Sequence, residues 1–110
     1  MNFLGEIEVS GNGKTWLYDV PRCIADESRI SFDFQGAREG CHFTGHCIAE
    51  ASSNAQFIGV GKFQYRGYEA YESPIQLQLK SEGDFLILQG AWKEDGVNYQ
   101  MQGELEARLR

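Results

Sequence analysis

Polar and apolar residues alternate along much of this chain. Ile30, Phe32 and Phe34 alternate with Ser31, Asp33 and Gln35. Ile75, Leu77 and Leu79 alternate with Gln76, Gln78 and Lys80, and Val97, Tyr99, Met101, Gly103 and Leu105 with Asn98, Gln100, Gln102, Glu104 and Glu106. Successive side chains of a strand point to opposite faces, so period two predicts sheets with one wet face. No window of comparable length carries a helical stripe. Asn12-Gly13 and Asp95-Gly96 are hairpin turns by composition, because both central positions of a type I′ turn need positive φ. Gly36 to Gly40, Ser52-Ser53-Asn54 and Glu82-Gly83-Asp84 supply further turn signals. Eight strands result, at roughly 2–10, 14–20, 29–35, 41–50, 56–66, 73–81, 84–93 and 97–107.

Short connections between sequential strands imply an antiparallel up-and-down order. Pairing the last strand to the first removes both edges, so the expected fold is all-β: one domain over 1–110, a small eight-stranded barrel. A two-sheet sandwich is the alternative. The one long connection, Pro21 to Ser28, is expected to hold a short helical turn at Cys23-Ile24-Ala25 that plugs a barrel end. Strand 56–66 changes phase between Ile58 and Val60 on one side and Phe63 and Tyr65 on the other, which predicts a β-bulge near Gly59-Val60-Gly61.

The segment GCHFTGHC, residues 40–47, holds two of the three cysteines and both histidines. Read as a strand, it puts Cys41, Phe43, Gly45, Cys47 and Ala49 inward and His42, Thr44, His46 and Glu50 outward, with Ile48 an exposed exception. At ~3.3 Å per residue the cysteines are then roughly 20 Å apart and the histidines about 13 Å apart. That separation excludes a disulfide between Cys41 and Cys47 and a single zinc held by all four residues. A hairpin with Phe43-Thr44-Gly45 as its loop would allow only a cross-strand disulfide or a two-histidine surface site. No metal ligand set is assigned.

Length, charge and composition narrow the function classes. The 110 residues carry a net charge of −6, with Lys and Arg scattered singly. No basic stripe suits nucleic acid or an anionic membrane surface, so neither is an expected partner. The N-terminal residues have no basic start followed by an apolar run, and no stretch approaches a membrane span. Three cysteines, an odd and sparse set, fit a reduced, cytoplasmic protein. No Gly-x-Ser-x-Gly, Walker or dinucleotide motif occurs, so no catalytic residue and no cofactor is assigned, and the sequence leans against an enzyme.

The inward phases combine aromatics with small residues. Phe32, Phe34, Phe43, Phe63, Trp92, Tyr99 and Met101 are the candidate ligand-lining residues, interleaved with Gly5, Gly45, Cys47, Ala49, Gly90 and Gly103. Large and small side chains either interdigitate into a filled core or leave an aromatic cavity. The second case makes the protein a non-enzymatic module holding a small apolar or aromatic molecule inside the barrel. The first makes it a protein-interaction or structural domain, as a homodimer for instance, using Ile48 and the tyrosines of YRGYEAYES, residues 65–73. A barrel-mouth enzyme is the weakest of the three. The expected topology resembles the calycin-like barrels of lipocalins, fatty-acid binders and avidins. The resemblance stops at topology: the one Gly-x-Trp, Gly90-Ala91-Trp92, lies in the seventh strand, where lipocalins carry it in the first.

Overall fold

A computed structural model describes residues 1–53 and 55–108. Its eight strands are β1 (Asn2–Gly11), β2 (Lys14–Ala25), β3 (Arg29–Arg38), β4 (Cys41–Ser53), β5 (Gln56–Tyr65), β6 (Tyr71–Glu82), β7 (Phe85–Glu94) and β8 (Val97–Ala107). They form a closed antiparallel barrel in sequence order, β8 pairing back to β1. Closure satisfies the backbone groups that a sandwich would leave at its edges.

Three of the connections at one end are two-residue turns of the same design. Asn12-Gly13, Glu39-Gly40 and Asp95-Gly96 all hold positive φ at both positions. The fourth connection at that end, residues 66–70, is the longest at this end. Asn and Asp tolerate the left-handed region; Glu39, at φ 53°, is the ill-suited member of the set. Its exposed pair with Lys14 (2.8 Å) offsets little of that strain. Glu39→Asn is therefore expected to raise stability by about 0.5 kcal/mol, read as a higher urea midpoint at unchanged slope; a lower midpoint would mean that the Lys14 contact outweighs the turn strain.

Two local expectations are corrected. The segment after Pro21 is not a helical plug. β2 continues to Ala25, with a register shift between Asp19 and Arg22 where its pairing to β3 resumes. Proline cannot donate to the ladder, and a bulge accommodates it without ending the strand. Cys23 and Ala25 then point into the core. Only Asp26–Ser28 remain as a connection, and the Asp26 carboxylate accepts hydrogen bonds from the Ser28 and Arg29 backbone N–H groups at 2.7 and 3.0 Å. Nor is there a bulge at Gly59-Val60-Gly61. β5 pairs with β4 without interruption from Phe57 to Tyr65. Phe57, Gly61 and Phe63 face inward in one phase, while Ile58 and Val60 stay 54% and 48% exposed. The strand keeps its register and leaves two β-branched residues in water.

β3 and β4 also extend beyond the expected limits, to Arg38 and Ser53. Asn54 of the expected Ser52-Ser53-Asn54 turn lies outside the described residues. The core is one cluster filling the barrel, from Phe3 near one end to Trp92 and Tyr99 near the other.

Candidate functional site

The strand through residues 41–47 is regular. Phe43 and Cys47 are buried, Cys41 is half-buried, and His42 and His46 are exposed. All three cysteines are free thiols, and no group of three or more His, Cys, Asp or Glu residues able to hold a metal exists among the described residues. His46 bonds instead to Asp33 on β3, which also pairs with Arg22 at 3.4 Å. With Lys62 beside His46 on β5, this makes an outward row of mixed charge across four strands. Such exposed pairs contribute little to stability.

Inside the barrel, Phe32, Phe34, Phe43, Phe63, Trp92, Tyr99 and Met101 are each at most 7% exposed. The six aromatics form one connected array. Phe34 lies 6.1–6.4 Å, centroid to centroid, from Phe32, Phe43, Phe63 and Trp92. Phe43, Phe63, Trp92 and Tyr99 stack in succession, with separations of 6.3, 4.8 and 5.5 Å and planes within 18°. Met101 is buried beside Gly90. Rings occupy the room that inward glycines leave: a Cβ on Gly45 would fall 2.2 Å from Phe34 ring atoms, and one on Gly36 would fall 2.5 Å from Tyr18.

At the end bearing the two-residue turns, this stack meets a buried ion pair. The Arg38 side chain is 2% exposed and donates to Glu94 Oε1 at 3.3 Å; the Glu94 side chain is 11% exposed. The guanidinium lies 4.5–4.8 Å from the ring centroids of Tyr99, Trp16 and Phe43 and 5.6 Å from that of Tyr65. Desolvated cation–π contacts of this kind contribute up to about 2 kcal/mol, and arginine, planar and weakly hydrated, suits them. Burial by itself would lower the Arg38 pKa, yet Glu94 and the surrounding tyrosines hold it above its usual value.

Three buried polar atoms near this pair have no hydrogen-bond partner: Tyr18 Oη, Tyr71 Oη and Trp92 Nε1. Tyr18 Oη lies beside Arg38 and Tyr71 Oη beside Glu94, each at the margin of hydrogen-bonding range and short of good geometry. A fully unsatisfied buried group costs about 1–3 kcal/mol, a cost that the marginal contacts of the two hydroxyls reduce. Tyr65 and Tyr71, which wall this end, flank the 66–70 connection; Tyr68 in that connection is 68% exposed.

Arg38 and Glu94 were not among the residues the sequence put forward, although parity reaches both. Phe32, Phe34, Gly36 and Arg38 share one phase, as do Trp92 and Glu94. Reading Gly36 to Gly40 as a turn ended β3 too early to see it.

Burial also raises the pKa of several acids that are neutral at pH 7. The Cys23 thiol is pushed up to about 12 and the Cys47 thiol rises too, both chiefly by desolvation. The Tyr18, Tyr71 and Tyr65 phenols are raised for the same reason, with Arg38 opposing at each. The native state keeps these protons while the unfolded chain begins to lose them near pH 9 (thiols) and 10 (phenols). Stability is thus fully present below about pH 9 and falls as pH rises toward 12, each group contributing a slope of up to about 1.4 kcal/mol per pH unit. Urea midpoints measured from pH 8 to 11 are expected to decline beyond pH 9; a flat profile would contradict the burial of these groups.

The chain matches no protein-family model, and no curated protein matches its sequence.

Proposed function

We propose that this protein is a non-enzymatic binding module, and that its ligand is a small aromatic or apolar molecule bearing a hydrogen-bond acceptor, taken up at the Arg38 end of the barrel. The observation that carries this reading is the cluster of Tyr18 Oη, Tyr71 Oη and Trp92 Nε1, buried without a well-formed hydrogen bond around an aromatic-walled ion pair. All three can donate, and a ligand carbonyl, sulfonate or carboxylate would draw them into full hydrogen bonds. The ring stack is closed, so uptake requires side chains at this end to move aside.

Native mass spectrometry of the purified protein, followed by denaturing extraction, reads a retained ligand directly. Anilinonaphthalene sulfonate, an aromatic anion, serves as the probe for the emptied protein. Tyr18→Phe keeps the ring and removes a poorly bonded hydroxyl. It is expected to stabilise the empty protein by about 1 kcal/mol and to weaken probe binding severalfold. The reading fails if the protein carries no small molecule and the probe shifts neither its emission nor the melting temperature of the protein. It fails equally if Tyr18→Phe destabilises the protein, because the hydroxyl would then already be bonded to internal water.

A second reading, an interaction or structural domain with a filled core, draws support from the rings over Gly45 and Gly36 and from exposed Ile58 and Val60 beside half-buried Ile48. Under it the protein sediments as a homodimer and retains no small molecule.

A further inference from the structure

The outer face of β5 to β8 carries an array that the binding end does not use. Gln56 pairs across strands with Gln78, Gln78 with Gln89, and Gln89 with Gln102. In the next row, Gln76 and Gln100 stand on either side of Ala91. All six glutamines are exposed, and no other side chain among the described residues hydrogen-bonds to them. Because Ala91, which faces outward, is small, the surface dips along β7, forming a groove of about 470 Å³. In a chain of net charge −6, one charged residue, Glu8, lines this groove.

We propose that this groove binds a short neutral oligosaccharide. Each amide offers two donors and an acceptor, so the complementary ligand presents both kinds of group, closely repeated and uncharged. Vicinal sugar hydroxyls do so. Neighbouring strands lie about 4.8 Å apart, which places Gln76 and Gln100 roughly 10 Å from each other across Ala91, a width that admits one sugar ring. The volume falls in the range of ligand sites. A second copy of the chain fits less well. The two rows span roughly 14 Å by 7 Å, about 100 Å², against about 800 Å² per partner in a standard interface. An extended peptide would bind by adding to a sheet edge, and the closed barrel offers none.

The test is a ¹⁵N–¹H NMR titration of the intact protein with cellohexaose and, separately, maltohexaose, following the side-chain amide signals. The expected result is saturable movement of the Gln76, Gln78, Gln89, Gln100 and Gln102 signals with one of the two sugars. Gln78→Ala/Gln89→Ala is expected to weaken binding about tenfold, the loss of two neutral hydrogen bonds. Ala91→Phe, which fills the groove from a solvent-exposed position, is expected to abolish binding while the remaining backbone signals keep their positions. Unmoved glutamine signals with both sugars overturn the proposal, as does binding that both variants retain. Movement of the same signals on concentrating the protein alone, with a doubled mass, assigns the face to self-association instead.

Discussion

Arg38→Met is expected to lower the free energy of unfolding by about 3–5 kcal/mol, the usual cost of removing one partner from a buried ion pair. The reason lies in what remains. Glu94 is held in place by β7, its side chain 11% exposed, among tyrosines and the ring stack. Without the guanidinium it keeps a charge that the surroundings do not solvate. The four rings around Arg38 lose their cation as well. Methionine refills much of the volume, so a cavity accounts for little of the effect. The diagnostic variant is the double one. Arg38→Met/Glu94→Gln removes both charges and is expected to recover at least half of the loss, because a pair replaced by neutral groups leaves no orphaned ion. Chemical denaturation of the four members of this cycle gives the coupling energy. A single-variant loss below about 1 kcal/mol, the scale of a surface pair, would mean that the site is wet.

Gly59→Ala is expected to be comparably damaging, at about 3 kcal/mol, the upper end for overpacking. A Cβ there would stand 1.9 Å from the Ile48 carbonyl oxygen and 2.5 Å from the Ala49 Cα. Both obstacles are backbone, so relief requires β4 and β5 to part along their shared ladder. Gly45→Ala meets the movable ring of Phe34 rather than a main chain. Its cost is expected to be smaller and to appear also as altered near-ultraviolet dichroism, since Phe34 touches Tyr18, Phe43, Phe63 and Trp92. If the two variants proved equally mild, the close approach of β4 to β5 at Gly59 would be refuted.

The same residues explain what was legible beforehand. Alternation is a local signal, and it located all eight strands and placed the seven residues inward, Phe63 among them although its strand was expected to change phase. Closure followed from edge physics and short connections. The failures share one cause: glycine and proline were read as punctuation. Pro21 sits in a strand that bulges to keep it, Gly36 is an inward position serving the Tyr18 ring, and Gly59 and Gly61 belong to an unbroken strand. The Arg38 cage was hidden for a further reason. A buried ion pair joining residues 56 positions apart leaves no local pattern, and a charged residue near a turn ordinarily marks solvent. The glutamine array was equally opaque. Gln56, Gln78, Gln89 and Gln102 become neighbours only once four strands are in register.

The β1–β8 seam has a kinetic consequence. Seven of the eight pairings join strands adjacent in sequence, which hairpin formation supplies cheaply and fast. The eighth brings Phe3 against Ala107 and must close a loop of nearly the whole chain. At this seam two glycines let the backbones meet tightly: Gly5 lies opposite Leu105 and Gly103 opposite Ile7, and a Cβ on either would come within 3 Å of a main-chain oxygen of the other strand. Contacts of such long sequence separation form late, so the barrel assembles as a curling meander and locks when its ends zip together. Interactions at the seam therefore act mainly on how slowly the ring reopens, and a weakened seam shortens the lifetime of the native state more than it delays its formation.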